Sequence, residues 1–296
     1  MTRKTYTKVK NWIGNAAFTI PALIVYIAFV TIPIVGTLQI SLVKWNGASP
    51  TKEFVGLANY IRVFNDPTFY LALKNNIIWI LFTIFIPVFL GLILAIMISQ
   101  SFIKAKTFFR LTYFMPQIVS LVAVAIVWGW MYNPDFGIVG RVLEFIGIPN
   151  AMDIDFLGDE NLVIWSLVVA GSWTCFGFNM VVFLAALQGI DSTYLEVATL
   201  EGANAVQRMR YVTVPLIKST VTLLVLNSLI GSFKVFDLIY IMTKGGPYRS
   251  SEVIATYMFN AAFNMNEYGY ASALAMVLAA LVALSSWVYM KRAEKE

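Results

Sequence analysis

The sequence predicts an all-α integral membrane protein with six transmembrane helices. Three observations carry that prediction. Of 296 residues, 59% are apolar and only 12% are charged, with a mean hydropathy of +0.75; soluble domains carry roughly 25% charged residues. The charge deficit extends along the whole chain as six charge-poor runs, each near the about 20 residues that a helix needs to cross a bilayer. Lys and Arg collect at the ends of these runs, where membrane topology uses them.

In order, the runs lie within residues 13–43 and 75–103, then at 111–132, 162–190, 217–242 and 268–290. The fifth is interrupted by Lys218, Lys234 and Asp237. Pro21, Pro33, Pro87 and Pro116 fall within or at the ends of runs, which membrane helices tolerate because neighbours re-satisfy the freed backbone groups. The segment 45–73 is too long for a tight turn and reads as a small folded cap with a helix around 59–64. The apolar run after the basic N-terminus is too long for a signal-peptide core, so no cleavable leader is expected. No internal repeat is visible.

Lys/Arg counting sets the orientation. With the N-terminus inside, Arg3, Lys4, Lys8, Lys10, Lys104, Lys106, Arg110, Arg208, Arg210, Lys218, Lys291, Arg292 and Lys295 face the cytoplasm, 13 in all, against 7 outside. The segment 135–160, with six acidic residues and one Arg, suits the outer side. Both termini are therefore expected in the cytoplasm. The net charge of +5 is this topological signal and not a nucleic-acid surface. The chain has no His and one Cys, which removes His acid/base chemistry, Cys/His zinc sites and an intrachain disulfide. Cys175 reads as a small core residue.

Between the fourth and fifth runs lies a polar insert, EVATLEGANAVQRMRYVTVPL (196–216). Asp191 and Ser192 are good N-caps ahead of it. Leu195, Ala198, Val206 and Met209 follow helical spacing, and Gly202 stands where two short helices would meet at an angle. From composition alone, such a segment either rests on lipid headgroups or presents a rigid surface to a cytoplasmic partner.

Glu196-Val197-Ala198-x3-Gly202-Ala203, followed by Val212-Thr213-Val214-Pro215, resembles the EAA-x3-G-x9-I-x-LP signature of the permease subunits of binding-protein-dependent ABC importers. Val197, Val212 and Val214 depart from it by small apolar exchanges. VGLANYIRVFNDPTFYLALKNN (55–76), FFRLTYFMPQIVSLVAVAIVW (108–128), FDLIYIMTKGGP (236–247) and YGYASALAMVL (268–278) are similar to other parts of the family and narrow the resemblance to its carbohydrate-uptake branch, the maltose, glycerol-phosphate and multiple-sugar permeases. Gly140 stands where the family commonly carries Asn, a departure expected to affect the outer loop.

The resemblance implies a type I ABC importer permease fold, with residues 1–69 as tail, first helix and cap, 70–290 as the core domain, coupling helices at about 191–214, and 291–296 as a cytoplasmic tail. It implies a multi-pass protein of a bacterial or archaeal cytoplasmic membrane that moves a carbohydrate, an oligosaccharide by preference, by alternating access. The partners implied are a second homologous permease, two ATPase subunits, an extracytoplasmic solute-binding protein and membrane lipid. No cofactor or metal is expected on this chain, which lacks a GxxxxGK[ST] phosphate loop; ATP and Mg belong to the ATPases. Glu196, Ala198, Glu201, Gly202, Ala203 and Pro215 are the implied coupling residues, Gly202 supplying the bend. The turn Gly245, Gly246 and Pro247 is implied to lie near the docked binding protein.

The substrate path has weaker signals. Lys234 and Asp237, three apart, would share a helical face about 24 Å up the fifth span. They read first as a self-neutralising pair, or Lys234 as snorkelling outward, and second as path lining. Asn179 and Asn227 read first as interhelical hydrogen-bonding groups and second as sugar contacts. Trp173 and Tyr240 could stack on a sugar, although aromatics near span ends more often anchor the interface. Two other classes remain: a membrane-embedded transferase, for which the acidic segment 153–160 lacks metal-site spacing, and a secondary transporter, which usually shows paired repeats. Within the importer class, a non-sugar solute such as glycerol phosphate is the alternative cargo.

Overall fold

The computed structural model describes residues 19–100 and 103–293. The expectations for Arg3, Lys4, Lys8, Lys10 and Lys295, and for residues 13–18 and 101–102 of the first two runs, lie outside the described residues. The described residues form two compact units, one of residues 19–65 with 258–277 and one of residues 66–100 and 103–257 with 278–293.

Among the described residues the first unit begins with α1 (Thr19–Ser41), 23 residues long, mostly apolar and without a charged side chain. Within it the ladder shifts to a π turn at Ile27–Thr31, the Ile32 N–H reaching Ile27 O just before Pro33. Proline has no N–H and its ring crowds the carbonyl four residues back, so a widened turn at that point relieves the clash. The cap follows as a short antiparallel pair, β1 (Val43–Lys44) with β2 (Glu53–Phe54), and then α2 (Ala58–Asn65). Two residues of the VGLANY segment staple the cap. The Asn59 amide donates to Ser41 O (2.8 Å) and Val43 O (3.1 Å), and Tyr60 Oη lies 2.6 Å from the buried Ser41 Oγ. Arg62 pairs with Glu267 at 2.7 Å and stacks on Tyr270.

The second unit opens with α3 (Pro67–Ser99), 33 residues long. Its start precedes the second apolar run because Asp66 caps it, accepting from Thr68 N–H, and Pro67 occupies the first position, where its missing N–H costs nothing. α4 (Lys106–Ile118) and α5 (Leu121–Met131) follow, then α6 (Ile138–Phe145) and α7 (Val163–Gln188). α8 (Ser192–Leu200) and α9 (Ala205–Leu216) form the polar insert. α10 (Lys218–Phe233) and α11 (Asp237–Met242) come next. α12 (Ile254–Phe259) and α13 (Tyr268–Ala293) cross between the units in sequence.

Four described helices are long and apolar enough to cross a membrane, and six do so if each of two bent pairs counts as one span. The third run is one of these pairs and not the straight helix expected: α4 and α5 meet at 97°. Pro116 weakens the last turn of α4, and Val119 and Ser120 are extended, with ψ of 138° and 134°. The fifth run is also broken, unwinding between Phe233 and Asp237. Gly140 lies within α6, where a Cβ would come within 2.9 Å of Ala151 O; an Asn there would displace the segment around Ala151.

α7 is the most buried of the four candidate spans. One end, at Val163, Ile164, Leu167 and Val168, joins an apolar cluster with Trp79, Trp128, Leu238 and Ile239. The other end, at Met180, Phe183 and Leu184, joins a second cluster with Ala95, Ile98, Ile217 and Leu224. The stretch between them carries Thr174, Cys175 and Asn179, and there the core is interrupted.

Candidate functional site

Two features of the second unit have the chemistry of a site: the polar insert, and a cavity between the apolar clusters. In the insert, Asp191 caps α8, its carboxylate accepting from Thr193 N–H (2.9 Å) and Thr193 Oγ1 (2.8 Å). These bonds hold its carboxyl below the ordinary carboxylate range. The C-terminus of α8 closes in a Schellman arrangement. Ala203 N–H donates to Ala198 O (3.0 Å) and Gly202 N–H to Thr199 O (3.1 Å), with Glu201 as the C-cap and Gly202 at φ +83°. A Cβ on Gly202 would meet no atom within 4 Å. Backbone conformation and not space therefore requires glycine here.

Asn204 starts α9 with a reciprocal capping box, its side chain accepting from Gln207 N–H (2.9 Å) while Gln207 Oε1 accepts from Asn204 N–H (2.8 Å). Arg208 ties the two helices by donating to Thr199 Oγ1 at 2.6 Å. In α9 the ladder again shifts to a π turn, at Met209–Thr213, immediately before Pro215. The helix then bends 73° into α10. No residue of α8 is buried. Glu196 is exposed, and Tyr194, Val197, Leu200, Val206 and Tyr211 expose large apolar surfaces, Leu200 to 88%. The insert is thus a locally rigid pair of short helices with an apolar, uncovered face.

The cavity, of about 300 Å³, gathers Asn179 and Cys175 from α7, Asn227 and Ser232 from α10, Lys234 from the unwound break, Asp237 from the start of α11, and Gln117 and Leu121 from either side of the bend between α4 and α5. It brings four of the sequence-predicted path residues to one place. Asn179 is 2% exposed and its amide nitrogen has no hydrogen-bond partner. The interhelical bonds expected of Asn179 and Asn227 are made instead by Thr83 Oγ1 to Ser232 Oγ (2.9 Å) and by Asn76 to Ser232 O.

Other expectations are corrected. Lys234 and Asp237 do not share a helical face, because α10 ends at Phe233. Among the described residues no ion pair joins them, and both are exposed at the cavity. Unwinding thereby places two costly charges at a polar space and not against lipid. Cys175 is exposed and lines the cavity, so it is not a core residue. Trp173 turns away from the cavity-lining positions 171, 174, 175 and 178 and packs edge-on to Trp128 at 6.0 Å. Tyr240 stacks on Phe236 at 5.0 Å, outside the lining. Gln117, Thr83, Ser228 and Ser232 were not singled out from sequence; their one signal is a polar side chain inside an apolar run. Among the described residues no three His, Cys, Asp or Glu groups gather as a metal site.

The run formed by α10 and α11 ends, away from the insert, in the loop 243–253. This loop makes two successive turns, closed by Gly246 N–H to Thr243 O (2.9 Å) and by Ser250 N–H to Pro247 O (2.8 Å), and Gly245, Gly246 and Pro247 lie at their junction. The loop is bound to α3: the Asn75 amide donates to Ser250 O and Glu252 O (both 2.9 Å), and Asn76 Oδ1 accepts from Ile254 N–H (2.9 Å). Arg249 bridges Thr68 and the buried Glu252, and Tyr257 Oη bonds Asp66.

Residues 87–290 match the sequence family described as the inner membrane component of binding-protein-dependent transport systems. The chain is 36% identical to the probable ABC transporter permease protein YurN of Bacillus subtilis, over 95% of this chain and 96% of that one. It is 32% identical to the lactose transport system permease protein LacF of Rhizobium radiobacter, over 96% and 94%. The fold superposes with a TM-score of 0.84 on a chain of a bacterial ABC transporter involved in import of the acidic polysaccharide alginate, covering 99% of both chains at 22% identity. That likeness establishes a shared fold.

Proposed function

The chain belongs to the family of inner membrane components of binding-protein-dependent transport systems, and we propose that it is the permease subunit of an ATP-driven importer for a carbohydrate. The observation that carries the mechanism is connectivity. α7 and α10 supply most of the polar groups of the cavity, and the rigid insert is the covalent link between them. A partner that grips the insert and moves it as a body would tilt α7 against α10 and reshape the cavity. Alternating access requires such rocking of packed helices between two arrangements.

In this reading the uncovered face of α8 and α9 docks on an ATPase subunit. Leu200, Val206 and Tyr211 fill its cleft, and Glu196 makes a charged contact. The ATPases carry ATP, Mg and the hydrolytic chemistry. Permease relatives named for lactose and for trehalose/maltose uptake support a carbohydrate cargo, as does the lining of amides, hydroxyls and one charge of each sign. Asp237 would accept from sugar hydroxyls while Lys234 and the amides donate. With no excess of either charge, a neutral oligosaccharide fits the cavity best. The Lys/Arg balance supports an insert in the cytoplasm, both termini inside, and loops 135–160 and 243–253 outside. A second permease completes the path, and a solute-binding protein delivers the cargo.

The test is affinity purification of the tagged chain from its native membrane, followed by uptake of labelled neutral and acidic oligosaccharides. ATPase and solute-binding protein should co-purify, and ATP should drive uptake. Glu196→Ala should lower uptake at least tenfold without loss of membrane insertion. A chain that purifies without an ATPase and transports under an ion gradient would sink the reading.

A further inference from the structure

We propose that Tyr248 is the anchor on which the solute-binding protein docks, an inference that rests on the permease reading above. Tyr248 and Arg249 are adjacent non-glycine residues with φ of +46° and +68°, and Lys244 has φ of +53°. Left-handed backbone is disfavoured for residues with a Cβ, and among non-glycine residues Asn, Asp and His populate it most. A tyrosine and an arginine there in succession persist only where surrounding structure over-determines them, and such outliers cluster at ligand clamps and functional sites.

The loop supplies that over-determination. Asn75 and Asn76 hold its backbone from α3, Ser251 Oγ donates to Gly246 O (2.6 Å), and Arg249 is tied to Thr68 and Glu252. The one aromatic side chain of the loop is Tyr248, which these contacts leave outside, 86% exposed. The result is an aromatic group held out from a rigid, hydrogen-bonded base. Tyrosine is enriched among residues that dominate binding energy, and pre-organisation removes the ordering cost of association.

Fluid lipid does not explain this, since an interface anchor needs no fixed direction. A permanent subunit contact explains it poorly, because obligate interfaces are more hydrophobic, whereas exposed Lys244 and Arg249 flank Tyr248. An aromatic centre within a polar, cationic rim fits a partner that binds and leaves. The surface it fits has an apolar recess with a hydrogen-bond acceptor for Tyr248 Oη, bordered by carboxylates. The position is also suited to signalling. α11 joins the loop to Asp237 in the cavity through six residues, about 9 Å of helix.

The experiment uses the whole complex in lipid nanodiscs with the solute-binding protein that co-purifies with it, measuring ATPase stimulation against binding-protein concentration. Tyr248→Ala should raise the half-saturating concentration about tenfold, with the stimulated rate regained at high concentration, and Tyr248→Trp should stay near the unaltered protein. In a second arm, Tyr248→Cys is labelled with a bulky maleimide after assembly, with the unaltered complex treated in the same way as the control for Cys175, and labelling should abolish stimulation in the variant alone. An unchanged half-saturating concentration in Tyr248→Ala, or full stimulation of the labelled complex, overturns the inference. So does a Tyr248→Ala complex that loses its second permease, or its thermal stability, at unchanged half-saturation. Absence of stimulation in the unaltered complex would instead overturn the permease reading, and this inference with it.

Discussion

Gly202 adopts φ +83° with open space around its α-carbon, so a methyl group there tests backbone conformation alone. Gly202→Ala should cost the insert about 1–2 kcal/mol, straightening or fraying the joint between α8 and α9. Uptake should fall while global thermal unfolding barely moves, because no residue of α8 is buried. Asn179 makes the opposite kind of prediction. A buried amide nitrogen without a partner costs about 1–3 kcal/mol, so Asn179→Leu should leave the melting temperature unchanged or raise it while uptake drops. An interhelical hydrogen-bonding residue would instead lose stability on the same substitution. The bend at Gly202 was legible from residue type and position, whereas the coupling role proposed for Glu196 comes from the resemblance of its motif. The roles of Asn179, Lys234 and Asp237 were only half legible, since a polar residue at membrane depth looks the same in sequence whether it faces a helix or a cavity.

Helix boundaries were set by chemistry that sequence displays: the Asp66–Pro67 start of α3, the Asp191 cap of α8 and the Asn204/Gln207 box of α9. Removing the box should show its weight. Asn204→Ala is expected to destabilise α9 by about 1 kcal/mol. ATPase stimulation should fall with it, since α9 connects the proposed docking face to α10. Amide exchange across 204–216 reads that loss directly, and unchanged protection there would contradict it. The breaks were less legible. Hydropathy averages over a window, so 111–132 and 217–242 read as continuous spans although both are broken. Pro116 was visible, but proline is so often tolerated in membrane helices that it does not announce a 97° bend.

For the whole molecule, the charge count predicts that the insert and the loop 135–160 lie on opposite sides of the membrane. In a Cys175→Ser background, Glu201→Cys should react with a membrane-impermeant maleimide only in inverted vesicles, and Asn150→Cys only in intact cells. Labelling of both from one side would refute the topology. Six apolar runs, a polar insert with N-caps and a central glycine, and an asymmetric distribution of Lys and Arg were sufficient to determine the class, the expected orientation and the place of the bent polar insert. Each of these depends on local composition or on neighbours within a few turns. What tertiary structure decided is the cavity. It forms where α3, α7, α10 and the bend between α4 and α5 converge between two apolar clusters, from residues as far apart in the chain as Trp79 and Leu238. Which polar groups face one another across such distances depends on helix rotation and on where spans unwind. Those follow from packing between helices and not from the order of residues within any one of them.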